Sequence, residues 1–316
     1  MSKFHFADRL IEAIKLKKSV VCVGLDPRLD KIPEFIRDKH FKKHAKFPFL
    51  AASEAILEFN KGLIDAVKDV AVIVKPQIAF YEMFGAEGIS CFIETMKYAR
   101  EKGLLTIADA KRGDIGTTAE AYAKAFLGKV KVGDNEQEIF GADSITVAPY
   151  LGYDGIKPFI QECKVNGKGM FVLVKTSNKS SGDLQDLFVE KSEKNAPQPA
   201  FHIMAQYVDS WGADDIGESG YSCVGAVVGA TYPNQAVELR KLMPNAIFLV
   251  PGYGAQGGTA KDVAGCFNKD GLGAIVNSSR EICFAYEKSE KYTAENYAEA
   301  AKEAAEKMRD DIASVL

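Results

Sequence analysis

The sequence predicts a (β/α)8 barrel. Eight near-continuous apolar runs recur along the 316 residues, each followed by a helix. The runs are continuous rather than alternating, as in parallel strands buried on both faces. Their number, spread over roughly 250 residues, favours a closed barrel over an open doubly wound sheet. No linker divides the chain, so residues 1–316 read as a single barrel domain with an extra N-terminal helix and a long C-terminal helix.

In chain order, residues 4–17 carry apolar positions at helical spacing (Phe6, Leu10, Ile11, Ile14) and end in lysines, which suit a helix C-terminus. Residues 20–26 form the first strand. Residues 28–48 are basic and broken by prolines, and read as a surface excursion; 51–67 return to helix. The second strand is 70–76, with a helix over 85–102. The third strand begins at Leu104, with a helix over 118–127 whose start fits the capping pattern of Thr117 and Glu120. Residues 128–137 are polar and exposed. The fourth and fifth strands are 143–149 and 170–176, separated by a helix over 154–165. A polar insert, 180–199, is either a lid or a solvated loop, and 200–211 are helical. Strands at 224–230, 246–251 and 273–277 complete the eight, with helices at 234–242, after Thr259, and in the Ala/Glu/Lys-rich closing stretch.

Composition excludes several classes of function. The net charge is −3, so no basic field recruits nucleic acid or anionic membrane. No apolar run approaches the roughly 20 residues of a membrane span, and the N-terminus lacks a signal-peptide core; a cytoplasmic location is expected. The six cysteines are scattered without a C-x-x-C pair, so they read as reduced, buried thiols rather than a disulfide framework or zinc site. None of the four histidines pairs in sequence with a nucleophile, and no metal is expected.

Barrel chemistry sits at the C-terminal ends of the strands. Those ends offer Asp26, Lys75 and Gln77, then Asp109, Lys111 and Asp114, then Thr176, Ser177 and Asn178, and finally Gln256, Ser279 and Arg280. Asp109 and Lys111 are two apart on a strand and therefore share a face. Neither histidine nor cysteine is in the set, which argues against a nucleophilic triad or a zinc-bound water. Gly252, Gly254 and Gly257 match G-x-G-x-x-G, yet only one strand follows, so this loop cannot open a dinucleotide-binding half. After strand seven of a barrel, such a loop offers backbone N–H groups to a phosphate, with Arg280 adding a fixed charge.

The run Asp109-x-Lys111-Arg112-Gly113-Asp114-Ile115-Gly116-x-Thr118 resembles the signature of orotidine 5'-phosphate decarboxylases. Three further stretches, 148–155, 174–178 and 251–257, resemble a longer-chain branch of that family found in some bacteria and apicomplexan parasites. The likeness runs from about Val20 to Arg280. It implies decarboxylation of orotidine 5'-phosphate to uridine 5'-phosphate, the last step of de novo UMP synthesis, without metal or cofactor. Lys111 is then the proton donor to C6 of the pyrimidine, and Asp109 lies beside the substrate carboxylate. Lys75 and Asp114 complete an alternating charge array with them. The resemblance further implies a homodimer with shared sites, in which Asp114, Ile115 and Thr118 reach the neighbour's site. Asp26 and Lys75 bind ribose, as does Thr118 from the partner; Thr176 or Ser177 holds the pyrimidine amide, and Pro251 packs near the ring. Gln256, Ser279 and Arg280 belong with the phosphate end. The D-x-K-x-x-D core alone is shared with related barrel enzymes, so a Mg²⁺-dependent lyase or aldolase acting on a sugar phosphate is the alternative.

Overall fold

The computed structural model describes residues 5–190, 196–254 and 257–316. Eight parallel strands close a barrel in sequence order: β1 (Val21–Leu25), β2 (Ile73–Pro76), β3 (Leu105–Arg112), β4 (Ser144–Val147), β5 (Gly169–Lys175), β6 (Val224–Val228), β7 (Phe248–Val250) and β8 (Ala274–Ser278). Strand β8 pairs with β1, Val21 opposite Val276, so the sheet has no edge. Strands β1, β2, β4, β6, β7 and β8 are buried at every position, which is why their sequences do not alternate.

The principal helices are α1 (Phe6–Lys17), α2 (Glu34–Lys43), α3 (Pro48–Val67), α4 (Gly85–Glu101), α5 (Gly116–Leu127), α6 (Tyr153–Asn166), α7 (Ala200–Gly212), α8 (Pro233–Leu242), α9 (Ala260–Ala264) and α10 (Tyr297–Ala313). Among the described residues no helix is long and apolar enough to cross a membrane.

Several boundaries differ from the sequence reading. Phe4 lies outside the described residues, and α1 begins at Phe6. Residues 28–48 are not a bare excursion, because they contain a 3-10 turn (Leu29–Lys31) and α2, with Ile36 buried. The prolines there start helices instead of breaking them: Pro33 is the N-cap of α2 and Pro48 opens α3. Helix α5 starts two residues earlier than expected, with Ile115 as N-cap and no side-chain cap, so Thr117 and Glu120 do not form a capping box. Strand β3 runs on to Arg112 and uses up the chain, and the Asp114 carboxylate accepts the Ile115 N–H at 2.7 Å, which fixes the turn ahead of Thr117. The capping box lies instead at Thr259 and Asp262, opening α9. Residues 128–137 include an antiparallel pair, Val130–Val132 with Asn135–Gln137, exposed as expected. The insert carries a short helix, Gly182–Gln185, and a two-residue strand pair, while residues 191–195 lie outside the described residues.

The N-terminal end of the barrel is closed by α1. Phe6 lies edge-on to Phe171 of β5, ring centroids 6.0 Å apart. Gly169 makes room, since a Cβ there would sit 2.1 Å from the Phe6 ring. Between α8 and the last strands, buried Arg240 donates to the carbonyl oxygens of Cys266, Met243, Pro244, Ala246 and Gly273 and lies 3.6 Å over the Phe248 ring. It thereby satisfies the Cys266 and Ala246 carbonyls and adds a second donor to those of Met243, Pro244 and Gly273, which also accept from the Ala246 N–H, Asn268 Nδ2 and the Phe248 N–H.

Arg240→Leu should therefore cost about 3 kcal/mol, because it leaves the Cys266 and Ala246 carbonyls without a donor and removes a second one from three others. Urea unfolding measures this; a loss below about 1 kcal/mol would show that those carbonyls find other donors.

Candidate active site

The C-terminal ends of the strands surround a cavity of about 1000 Å³. Its walls divide by chemistry. Asp26, Lys75, Asp109, Lys111 and Thr146 supply the polar side, from β1 to β4. Leu173, Val227, Leu249 and Pro251 supply an apolar wall from β5 to β7. Such a division suits a flat ring bearing a polar edge.

Asp109 is the hub of the polar side. Its carboxylate accepts three hydrogen bonds: from Lys75 Nζ at 2.6 Å, Lys111 Nζ at 2.6 Å and Thr146 Oγ1 at 2.9 Å. Asp109 and Lys75 are buried, whereas the Lys111 side chain is 45 % exposed at the cavity mouth. Burial alone pushes the Asp109 carboxyl up, but the Lys75 and Lys111 charges outweigh it and hold the group well below the usual carboxylate range. Burial likewise works to lower Lys75, yet Asp109 and Asp26 carry it above the usual lysine range. The stability from ionised Asp109 is present above the ordinary carboxylate pKa near ~4 and lost as pH falls below it. That from Lys75 is present below the ordinary lysine value near ~10.4 and lost only as pH rises past it. The pair therefore stays charged across the whole neutral range.

Backbone strain aims Lys111. It has φ of 47°, one of two non-glycine residues with positive φ among the described residues. The β3–β4 register shifts between Ala108 and Arg112, a bulge that turns this stretch of strand. The Thr146 hydroxyl holds the arrangement, accepting the Lys111 backbone N–H at 3.0 Å while donating to Asp109. Such conformations persist only where the surroundings over-determine them. Thr146 was not among the residues singled out from the sequence. The signal was a hydroxyl between two apolar residues of a buried strand, Ser144-Ile-Thr-Val147.

At the other strand ends, Asp26 lines the cavity with its Oδ1 buried and without a hydrogen-bond partner, an acceptor open to a ligand. Thr176 and Ser177 both line the cavity but differ. The Thr176 hydroxyl donates to Asn178 Oδ1 at 2.6 Å and accepts from Gln185 Nε2 at 2.8 Å, while its backbone N–H goes to Gln185 Oε1. No hydrogen bond engages the Ser177 side chain among the described residues. Gln185, missed in the sequence, belongs to the polar insert, which is tied down further by Asp186 on the buried Lys175 at 2.7 Å. The insert thus folds against the cavity rim. Gln77 turns to its own backbone, its Oε1 accepting the Ala79 N–H at 3.3 Å.

The glycine loop takes the shape its sequence suggests. Gly252, Gly254 and Gly257 all have positive φ, and the loop closes through Gly254 N–H to Gly258 O at 2.8 Å. Tyr253 packs beside the cavity, with its hydroxyl donating to Asp311 of α10, which agrees with a packing role. Gln256 lies outside the described residues. Ser279 and Arg280 follow β8 at the same rim, and Arg280 forms no ion pair among the described residues. That leaves a free cation beside the glycine loop.

Three expected site residues stand apart. Asp114, Ile115 and Thr118 do not line the cavity; they sit on the turn into α5, where Ile115 is 51 % exposed. Within one chain the array is therefore two lysines on one carboxylate, and the expected fourth charge is missing from it. Asp114, which follows the same strand in sequence, is thus outside this chain's own cavity, because the chain turns there into α5, which begins immediately after Ile115.

The geometry can be set beside known proteins. The family model described as orotidine 5'-phosphate decarboxylase / HUMPS family matches residues 19–306. The orotidine 5'-phosphate decarboxylase of Rhodopirellula baltica is 45% identical over 285 residues, 90% of each chain. That of Clostridium kluyveri is 42% identical over 308 residues, 98% of this chain and 97% of the other. Among solved structures, the OMP decarboxylase of Leishmania donovani superposes with a TM-score of 0.72 at 31% identity, covering 98% of both chains. With the barrel closed in the same way and the relatives matched nearly end to end, the chain belongs to the orotidine 5'-phosphate decarboxylase / HUMPS family.

Proposed function

We propose that the protein decarboxylates orotidine 5'-phosphate to uridine 5'-phosphate, the closing step of UMP synthesis, in the cytoplasm and as a homodimer. The observation that carries this reading is the Lys75–Asp109–Lys111 array beside an apolar slot. A Mg²⁺-dependent aldolase needs carboxylate oxygens free to ligate the ion. Both oxygens of Asp109 are already held by lysines.

The substrate spans the cavity from the glycine loop to the apolar wall. Arg280, Ser279, Gln256 and nearby backbone N–H groups not used in closing the glycine loop grip the phosphate. The unpaired Asp26 oxygen and Lys75 take the ribose hydroxyls. The pyrimidine lies against Pro251 and Leu249, with its amide on Ser177, whose hydroxyl is free where that of Thr176 is engaged. The substrate carboxylate then points at Asp109. Two like charges 4 Å apart cost roughly 4 kcal/mol at an effective dielectric of about 20, and loss of CO2 relieves this. Stabilising the carbanion is the larger effect. When the C6–carboxyl bond breaks, its electron pair stays on C6, and the preorganised Lys111 ammonium faces that charge. Lys111 gives its proton to C6 and recovers one from solvent. Binding at the distant phosphate contributes by holding the ring in register.

Asp114, Ile115 and Thr118 complete the cavity of a second copy. Asp114 there brings the lysine and aspartate charges to zero, and Ile115 loses its exposure.

Lys111→Ala should lower kcat by at least about 100-fold while uridine 5'-phosphate still binds within a few-fold, because the proton donor is gone and the phosphate grip is intact. Steady-state CO2 release together with calorimetry reads both quantities, and near-normal turnover would remove Lys111 from the role. For the dimer, Lys111→Ala and Asp114→Ala proteins are mixed, each inactive alone. Activity should return toward about a quarter of wild type at random subunit exchange, since half of the dimers then hold one intact site. No recovery after exchange has been demonstrated by mass would contradict shared sites.

A further inference from the structure

We propose that His5, Asp215 and Cys223 form a zinc-type metal site at the N-terminal end of the barrel, opposite the catalytic cavity, with water as the fourth ligand. The residues come from three separate segments. His5 is the N-cap of α1, Asp215 lies in the loop after α7, and Cys223 immediately precedes β6. Donor atoms of His5, Asp215 and Cys223 lie within 4.8 Å of one another.

The spacing is that of ligands and not of hydrogen bonds. His5 Nε2 stands 3.8 Å from Asp215 Oδ1, beyond hydrogen-bond reach. Around a tetrahedral zinc ion, bonds of about 2.0–2.3 Å place neighbouring ligand atoms roughly 3.3–3.8 Å apart. Both ring nitrogens of His5 and Asp215 Oδ2 are buried without a hydrogen-bond partner. One ion can partner a single ring nitrogen of His5 together with the Asp215 carboxylate, two groups that otherwise leave buried atoms unpaired. Imidazole, thiol and carboxylate together select a thiophilic divalent ion over Mg²⁺ or Ca²⁺.

The surroundings hold this geometry in place. The Asp8 carboxylate accepts the Ser219 N–H at 2.7 Å and the Glu218 N–H at 3.1 Å, clamping the loop onto α1. Gly217 lets the loop backbone approach, since a Cβ there would lie 2.6 Å from His5 Nδ1. The Cys223 N–H donates to Asp215 O at 3.3 Å. The Cys223 thiol is pushed far up by the adjacent Cys163 thiol, by burial and by Asp215, so without a cation it stays neutral. A bound dication reverses that balance and takes the thiolate. The ion would fasten α1, whose Phe6 plugs the barrel, to the loop that enters β6. A catalytic use is excluded by position: none of the three residues lines the cavity of Asp109.

The test is a titration of tag-free, metal-stripped protein with Co²⁺ and then Zn²⁺. One Co²⁺ per chain should bind with a thiolate-to-cobalt charge-transfer band in the near ultraviolet, Zn²⁺ should displace it, and Zn²⁺ should raise Tm. Cys223→Ser should lose the band, while Cys266→Ser, buried elsewhere, should keep it. Because replacing a buried thiol also disturbs packing, His5→Ala serves as a second variant and should weaken Co²⁺ binding at least tenfold. Absence of the charge-transfer band in the wild type, its persistence in Cys223→Ser, unchanged affinity in His5→Ala, or no rise in Tm with Zn²⁺ would each overturn the site.

Discussion

Asp109 accepts from two ammonium groups and a hydroxyl at once, and the arrangement of the catalytic end depends on that. A buried carboxylate is costly unless paired. Pairing on β2, β3 and β4 simultaneously fixes the relative positions of three strand ends. It also keeps Lys75 ionised in a space where a lone lysine would shed its proton. Lys111, on the open side of the same carboxylate, is left charged and facing the cavity. Its left-handed backbone, a strained state, is held by the Thr146 hydroxyl that also reaches Asp109. Positioning and charge therefore come from one cluster.

The remainder of the barrel serves that cluster in layers. The apolar wall of Leu173, Val227 and Leu249 excludes water from one side of the cavity, so charges on the other side act in a poorer dielectric. Beside the glycine loop, Arg280 forms no ion pair among the described residues and leaves a cation unspent at the rim. The insert after β5 closes against the rim through Gln185 on Thr176 and Asp186 on Lys175. At the far end α1 plugs the barrel, and stability there is separated from chemistry by the full length of the strands.

The legible parts of this protein were those carried by local pattern. Continuous apolar runs gave away the eight strands, because parallel strands are buried on both faces. The charges at the end of β3 stood out because charge closing such an apolar run is expensive. What was hidden is non-local. Thr146 matters only because β4 lies beside β3, and Gln185 only because the insert folds back on Thr176. Asp114 looks in sequence like a member of the Asp109 cluster, and only the turn into α5 separates it. The prolines at 33 and 48 read as breaks because a proline at a helix start and one in a loop look alike without the backbone. His5, Asp215 and Cys223 share no spacing at all, so nothing in the chain announces that they meet.

The central claim is that the Asp109-anchored Lys111 ammonium faces C6 of the pyrimidine and exchanges a proton with it. Proton magnetic resonance of uridine 5'-phosphate in D2O tests this without any decarboxylation. With wild-type protein the C6 proton should be replaced by deuterium, and Lys111→Ala should abolish the exchange. Equal exchange in wild type and Lys111→Ala would contradict the account, because some other group would then be handling the proton at C6.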